Sequence, residues 1–258
     1  GKYAPRETES EAQSTFSDAV TVMNESSGWY CQHMKDGTRP PIPSEMSYIT
    51  EHGGYYIGED EKVIYLTFDA GYENGNVEKI LDTLKQENVP GAFFILDNLA
   101  KTNTDLVKRM VDEGHTVCNH TAKHKDMTKM TSKEDFAAEL RAMEDVYRDK
   151  IGGEIARYYR PPEGKFNEQN LAWADELGYK TIFWSFAYAD WDNANQMSRE
   201  KAVEKIITNT HNGEVILLHP TSKTNAEILP ELIAKWREMG FTFGTLDELT
   251  GQKGGNNE

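Results

Sequence analysis

Several short apolar runs of this chain end in a titratable side chain, and these side chains are the ones that could do chemistry. Asp69 follows the run 63–68, Arg160 ends a later run, Asp190 follows another, and His219 ends the run before Pro220. A carboxylate or an imidazole at the end of a buried strand can exchange protons with a substrate. These residue types therefore indicate general acid–base chemistry.

His120 and His124 follow a further apolar run and lie four positions apart. The residue after His120 is Thr121, so the pair is not the zinc-protease motif, in which glutamate follows the first histidine. Neutral imidazole suits zinc or another first-row divalent ion. With an acid from another strand end, the two histidines predict a metal site.

The apolar runs alternate with helical stretches along the chain. The runs cover 63–68, 91–95, 115–119, 157–160, 180–185, 214–218 and 241–243, and the predicted helices cover 76–87, 105–113, 132–150, 167–177, 198–211 and 225–239. Ser132 with Asp135 resembles a capping box. Such alternation predicts an α/β fold with parallel strands and helices outside. Seven strands suit a (β/α) barrel, and an open doubly wound sheet is the alternative.

In a parallel barrel the carboxyl ends of the strands form a single face, which hosts reactions. We therefore expect the titratable residues to share one site. Arg160 precedes two prolines, and this rigid segment would hold its guanidinium beside a carboxylate. A structural ion pair for Arg160 and a hydrogen-bonded core position for His219 are the plainer readings.

The composition excludes some partners. The chain has 43 acidic and 28 basic residues and a net charge of −15, which argues against a nucleic-acid surface. No apolar run approaches the roughly 18 residues of a membrane span. The chain begins with Gly, not Met, so we expect a mature or trimmed chain whose removed signal or anchor is not visible.

The chain divides into three parts. Residues 1–60 form an arm, with at most a weak amphipathic turn near 10–25 and a loop-like stretch at 28–60 whose prolines disfavour a helix. Its aromatic residues predict that the arm packs on the main domain, 61–249, and the tail 250–258 is predicted to be disordered.

Two cysteines leave a choice open. Cys31 and Cys118 could join in an oxidising compartment, or Cys118 could be a small buried apolar residue. A monomer is the default expectation.

Five motifs occur in an order that is typical of one family. They are Thr67-Phe68-Asp69-Ala70-Gly71, His120-Thr121-Ala122-Lys123-His124, Arg160-Pro161-Pro162-Glu163-Gly164, Asp190-Trp191 and Leu217-Leu218-His219. Together they resemble the polysaccharide deacetylase family (the NodB-homology or carbohydrate esterase family 4 domain) over about residues 60–249. Further stretches, Asp69 to Gly75, Phe183-Trp184-Ser185 and the Gly28-Trp29 arm, are similar to the muramic-acid (δ-lactam-forming) de-N-acetylases of spore-forming bacteria.

The resemblance implies a distorted, incomplete (β/α) barrel of about seven parallel strands. It also implies that Asp69 is the general base that takes a proton from water, oriented by Arg160. His120 and His124 would hold a divalent metal ion, with zinc favoured over manganese, cobalt or magnesium.

The remaining roles also come from the resemblance. Asp190 would orient and tune His219, which as imidazolium would protonate the leaving amine. An amide needs both a polarised carbonyl and an acid on its nitrogen. Backbone N–H groups near Tyr72 or Glu163 would bind the oxyanion. The residues expected to bind substrate are Tyr72, Trp191, Glu163, Gly164 and Lys165. Lys165 is chosen on charge and not on resemblance, because an acidic chain needs a local cation for the carboxylate of muramic acid.

One position departs from the family. Most members have a second Asp after the base, which ligates the metal, and here that position is Ala70. Three outcomes follow: Asp69 doubles as a ligand, a water or the substrate completes the shell, or the metal is loose and the enzyme feeble. Each missing ligand removes charge that favours a dication.

The implied function is metal-dependent release of acetate from a cell-wall glycan, with N-acetylmuramic acid of peptidoglycan as the favoured substrate and an extracytoplasmic location. Chitin oligomers or acetylated xylan are alternative substrates. Ala70 also motivates a different class, a glycan-binding pseudoenzyme whose cleft keeps Trp191, Tyr72 and Trp184.

Overall fold

The computed structural model describes residues 24–252. The predicted amphipathic turn near 10–25 and the last six residues of the predicted tail, 253–258, lie outside or almost outside that range. The strands are β1 (Ser27–Gly28), β2 (Gly54–Tyr55), β3 (Val63–Ala70), β4 (Ala92–Ile95), β5 (Thr116–Asn119), β6 (Ala156–Tyr159), β7 (Lys165–Phe166), β8 (Lys180–Ile182), β9 (Phe186–Ala187), β10 (Val215–Leu218) and β11 (Thr242–Phe243). The α-helices are α1 (Asn76–Glu87), α2 (Asp97–Thr102), α3 (Thr104–Asp112), α4 (Lys133–Lys150), α5 (Glu168–Glu176), α6 (Arg199–Thr208), α7 (Lys223–Glu238) and α8 (Leu246–Thr250).

The main sheet winds as a barrel does. Its strand order is β2-β8-β6-β5-β4-β3-β10-β9, with β11 also paired to β3. The late strand β10 therefore lies beside the early strand β3, in parallel register from Val215 with Tyr65 to Leu218 with Phe68. A doubly wound sheet reverses its order in the middle, whereas a barrel brings its last strand back to its first. The fold is thus the expected incomplete (β/α) barrel, with nine strands because the short β2 and β9 extend its edges.

Alternating residues of β3 face two different cores. Ile64, Leu66 and Phe68 belong to the large apolar cluster that includes the helices, whereas Tyr65 belongs to a smaller cluster with Phe94 inside the barrel. Successive side chains of a strand point to opposite faces. The same alternation turns Asp69, near the end of β3, towards the interior at the mouth of the barrel.

The segment between β8 and β9 crosses the gap in the barrel. The backbone N–H of Phe183 donates to the carbonyl of Tyr55 on one edge, at 2.8 Å, and that of Ser185 donates to Val215 near the other, also at 2.8 Å. Trp29 of the arm stacks on Phe183 with 4.7 Å between ring centroids. The described part of the arm thus packs against the segment that bridges the two edges.

The structure differs from the sequence reading in several elements. The stretch predicted as loop contains a 3-10 helix, Ser44–His52, which begins directly after Pro43 because proline is excluded only from a helix interior. Helices α2 and α8 were not predicted, since each is shorter than two turns. Thr250, the predicted start of the tail, ends α8. Ser132 accepts a hydrogen bond from the backbone of Asp135, which is half of a capping box.

Both cysteines are free. Cys118 is fully buried and packs inside the barrel, so of the two alternatives the small apolar residue is the correct one and the disulfide is not formed. Among residues 24–252, no helix is long and apolar enough to cross a membrane.

Candidate active site

Asp69 lies at the mouth of the barrel, where β3 ends, and it is held by a buried arginine. Arg160 Nη1 donates to Asp69 Oδ1 at 3.0 Å, and its other nitrogens donate to the carbonyls of Ile182 and Phe183 at 2.8 and 2.9 Å. Burial opposes ionisation of Asp69, but the positive charge of Arg160, together with the imidazoles of His120 and His219, outweighs it and lowers the pKa of Asp69. Asp69 is therefore a fixed, ionised carboxylate that can accept a proton.

The two histidines predicted to bind metal lie beside this carboxylate. His120 Nδ1 is 2.7 Å from the carbonyl oxygen of Arg160, which can only accept, so Nδ1 carries the proton and Nε2 carries the lone pair. Nε2 lies 3.7 Å from Asp69 Oδ2. Burial lowers the pKa of His120 to about 4, so its imidazole is neutral at pH 7.

A strained turn brings His124 back towards His120. Thr121 and His124 have φ values of 68° and 57°, in the left-handed region that a β-branched residue rarely adopts. The turn is held by hydrogen bonds from the Thr121 N–H to Asn119 Oδ1 and from the His124 N–H to Thr121 Oγ1, at 2.9 and 3.0 Å. As a result the two imidazole centroids are 5.1 Å apart.

His219 enters the same cavity from the end of β10, and a buried carboxylate holds it. His219 Nδ1 is 2.7 Å from Asp190 Oδ1, and its backbone N–H donates to Asp190 Oδ2 at 2.8 Å. Burial alone lowers the pKa of His219, but the hydrogen bond and charge of Asp190 outweigh it and raise the pKa. Among the described residues nothing hydrogen-bonds to His219 Nε2, so a protonated His219 can donate a proton from that atom.

One cavity of about 650 Å³ joins these groups. Its wall includes Asp69, His120, His124, His219, Glu163, Gly164, Tyr72, Trp191 and Trp184. Tyr72 and Trp191 are 51% and 62% exposed, which is unusual for large rings and leaves them open to a ligand. Lys165 does not line the cavity, and its ammonium pairs with Glu163 Oε2 at 3.0 Å.

Sequence reasoning missed the residues behind the acid. Asn225 on α7 donates to Asp190 Oδ2 at 2.7 Å and to the carbonyl of His219 at 3.1 Å, and the hydroxyl of Tyr188 donates to Asn225 Oδ1. Tyr188 and Leu96 line the cavity, and Asn225 lies behind the wall next to Asp190. The position of Asn225, three residues after the N-cap Ser222, suggested only a helix start.

The donor set fits a divalent cation only in part. His120 has the neutral ring and the hydrogen-bonded second nitrogen that metal-ligating histidines show, and His124 faces the same cavity. Ala70 is fully buried among apolar side chains and supplies no oxygen. Within residues 24–252, no group of three or more His, Cys, Asp or Glu side chains is arranged to hold a metal. The residues present thus fit a cation held by two imidazoles, with Asp69 next to them.

A carboxylate and an imidazole, each held by a buried partner, lie beside paired imidazoles at the mouth of a (β/α) barrel, and such a site can activate water for hydrolysis. Residues 57–182 match the polysaccharide deacetylase family. The chain is 39% identical to the peptidoglycan-N-acetylmuramic acid deacetylase PdaA of Bacillus subtilis, over 91% of this chain and 90% of that protein. It therefore belongs to the polysaccharide deacetylase family, carbohydrate esterase family 4, and is a deacetylase; dependence on a divalent metal is general in this family.

Solved structures agree with this assignment. That of Bacillus subtilis PdaA, a family 4 carbohydrate esterase, superposes with a TM-score of 0.85 and 37% identity, covering 88% of this chain and 98% of that one. A family pseudoenzyme from Bacillus anthracis is more distant, with a TM-score of 0.69 and 26% identity over 76% of this chain and 68% of that one.

Proposed function

We propose that this protein removes the acetyl group from N-acetylmuramic acid residues of peptidoglycan. One observation carries the proposal: Asp69 and His219, from strands at distant points of the sequence, face one cavity together with His120 and His124. Each of the two has a buried partner that fixes its charge in the sense that its role requires. The similarity to PdaA over most of both chains supports muramic acid as the substrate.

The proton transfers follow from the charges. Asp69, ionised and held by Arg160, takes a proton from the attacking water, and a bond forms between the water oxygen and the acetyl carbon. His219 then gives a proton from Nε2 to the amide nitrogen as the C–N bond breaks, and Asp190 stabilises the imidazolium before that step. The products are acetate and the free amino sugar.

His120 and His124 would hold the divalent ion, and zinc suits two imidazoles best among the metals considered. When bound, that ion polarises the acetamide carbonyl and makes water more acidic. The protein's own part is to orient both rings, through the carbonyl of Arg160 and the turn at Thr121, while burial keeps His120 neutral.

The sugar would lie between Tyr72 and Trp191, whose exposed rings can stack on pyranose faces. Within the described residues, the cavity wall contains no lysine or arginine. We expect the lactyl carboxylate of muramic acid to meet Lys165 at the rim, in competition with Glu163. Because the substrate is a wall polymer, we propose an extracytoplasmic location and no partner other than the glycan.

A product assay tests this function. The protein is incubated with peptide-free and with peptide-bearing peptidoglycan strands, each with Zn, Mn, Co or a chelator, and free acetate and muramic amine are measured. Release of acetate from muramic residues, lost in chelator, is the expected result. Release only from N-acetylglucosamine would overturn the substrate, and no release with any metal would overturn the reaction.

Ala70 supports a second candidate, a glycan-binding protein without turnover. The third metal ligand is absent at this position, and a relative from Bacillus anthracis is described as a pseudoenzyme of the same family. Saturable binding of glycan strands without acetate release, under every metal condition above, would favour this candidate over the enzyme.

A further inference from the structure

The backbone carbonyl of Thr221, two positions past His219, accepts hydrogen bonds from three asparagine side chains. The Nδ2 atoms of Asn74, Asn76 and Asn193 lie 2.8, 3.0 and 2.8 Å from this oxygen. A carbonyl oxygen has two lone pairs, so three amide donors saturate it. Thr221 is buried and forms part of the cavity wall.

Two of these asparagine side chains also accept a hydrogen bond from the first residue of a helix. Asn74 Oδ1 accepts from the backbone N–H of Asn76, the first residue of α1, at 3.2 Å. Asn193 Oδ1 accepts from the backbone N–H of Lys223, the first residue of α7, at 3.0 Å. A backbone N–H can only donate, so these contacts identify which amide atom is oxygen and which is nitrogen.

Asn74 and Asn193 lie in two different loops, Asn76 begins α1, and all three meet Thr221 in a third loop. Asn74 and Asn76 follow the base Asp69 after β3, whereas Asn193 lies just past the Asp190-Trp191 pair that follows β9. Thr221 belongs to the loop after β10 that carries His219. The carbonyl oxygen of Thr221 therefore connects the loop that carries His219 to the segment after Asp69 and to the loop that carries Trp191.

We propose that Asn74, Asn76 and Asn193 are positioning residues that keep His219 at the distance from Asp69 that amide cleavage requires. This inference rests on the proposed function, in which His219 is the acid. Displacement of an aligned group by about 1 Å can slow a reaction roughly a hundredfold. The amide clamp removes that freedom from the loop after β10; among the described residues, the His219 side chain itself hydrogen-bonds only to Asp190.

The chemistry of the leaving group separates positioning from folding. An amide nitrogen leaves only after protonation, so a misplaced acid slows amide cleavage. A nitrophenolate leaves unprotonated, and hydrolysis of p-nitrophenyl acetate needs the base but not the acid. Loss of the clamp should therefore reduce amide turnover much more than ester turnover.

Asn74→Asp and Asn193→Asp are the variants of choice, singly and together. Aspartate has the same shape and keeps the oxygen that accepts from the helix N-terminus, where negative charge is favourable, but it cannot donate to Thr221. Asn212→Asp is the matched control, because Asn212 Nδ2 donates to Asp60 at 2.9 Å before the start of β10, at the end of that strand opposite to His219.

The measurement is kcat for acetate release from N-acetylated glycan strands and kcat for p-nitrophenyl acetate, with the midpoint of thermal unfolding. We expect the amide-to-ester ratio to fall by about tenfold in each single variant, further in the double, and not in Asn212→Asp. An unchanged ratio, including one in which both rates fall equally, would overturn the positioning role of the three asparagines. A wild-type protein that releases no acetate from glycan would instead overturn the proposed function.

Discussion

The charge states in the cavity are set by burial and by neighbouring charged groups. Asp69 is ionised because Arg160 and the nearby imidazoles outweigh its burial, and His219 is protonated more readily than an ordinary histidine because of Asp190. His120 shows the opposite behaviour, since burial keeps it neutral. The residues that we propose as base, acid and metal ligand thus differ in charge because their environments differ.

The pH profile should report on Asp190. Since His219 must be protonated to act, kcat/KM falls as the pH rises through its pKa, which Asp190 raises. In Asp190→Asn burial is no longer outweighed, the pKa of His219 falls, and the basic limb of the profile moves to lower pH. Asp192→Asn, which removes an equal charge from an exposed neighbour, should leave the limb in place. A limb that does not move in Asp190→Asn would exclude His219 as the acid.

A second prediction concerns Ala70, which stands where most family members have a metal-ligating Asp. Ala70 is buried in the same apolar cluster as Ala122, which lies between His120 and His124 in the chain. In Ala70→Asp, a buried carboxylate should lower the unfolding temperature in chelator, and a divalent ion should restore it while binding more tightly than in wild type. Ala70→Asn, of similar size without charge, is the control. Calorimetry that finds the same metal affinity in Ala70→Asp and wild type would contradict this account of the site.

At the scale of elements, the loop that follows Arg160 depends on one close approach. Gly164 has φ +68°, and a Cβ there would lie 2.7 Å from Trp184 Cη2 in the cavity wall. Gly152 has φ +95° with nothing within 4 Å. Both glycine-to-alanine changes carry backbone strain, but only Gly164→Ala also displaces a ring.

Gly164→Ala should therefore cost about 1–3 kcal/mol of unfolding free energy more than Gly152→Ala, as overpacking does. Urea unfolding of the two variants measures the difference. We also expect glycan turnover to fall in Gly164→Ala and to stay unchanged in Gly152→Ala. Equal destabilisation in the two variants would show that the contact with Trp184 is relaxed without cost.

The sequence predicted the repeating elements of the barrel better than its connections. Runs such as 63–68 and 214–218 are apolar apart from Thr67 and Glu214, because both faces of a parallel strand are covered, so β3 and β10 could be found from composition. The strands β2 and β9 have two residues each, and their pairing depends on the neighbouring edge and not on their own residues. Local pattern could not reveal them.

Some residues of the candidate site could likewise be predicted from the sequence and others could not. Asp69, Arg160, Asp190 and His219 could be found because a charged residue at the end of an apolar run is conspicuous. Asn225 could not, because an asparagine three residues into a helix also occurs as an ordinary polar residue near a cap. Its contact with Asp190 depends on how α7 packs against the loop after β9, which only the fold determines.

At the scale of the whole molecule, the barrel collects residues from distant parts of the sequence at one mouth. The described part of the arm packs on the segment that bridges its edges, and Trp29 Nε1 donates to the carbonyl of Trp184 at 2.8 Å, in the cavity wall. The open side of the barrel is thereby covered by residues outside the (β/α) repeat. Binding and chemistry both depend on this convergence.

The convergence of Asp69 and His219 is tested most directly by acetate release from N-acetylated peptidoglycan strands by wild type, Asp69→Asn and His219→Ala. General acid and general base catalysis each contribute about 10²–10⁴-fold, so each variant should lose at least a hundredfold in kcat/KM. Circular dichroism and thermal unfolding should show that both variants remain folded. Wild-type rates in both folded variants would contradict the account, because the two residues would then share a cavity without sharing a reaction.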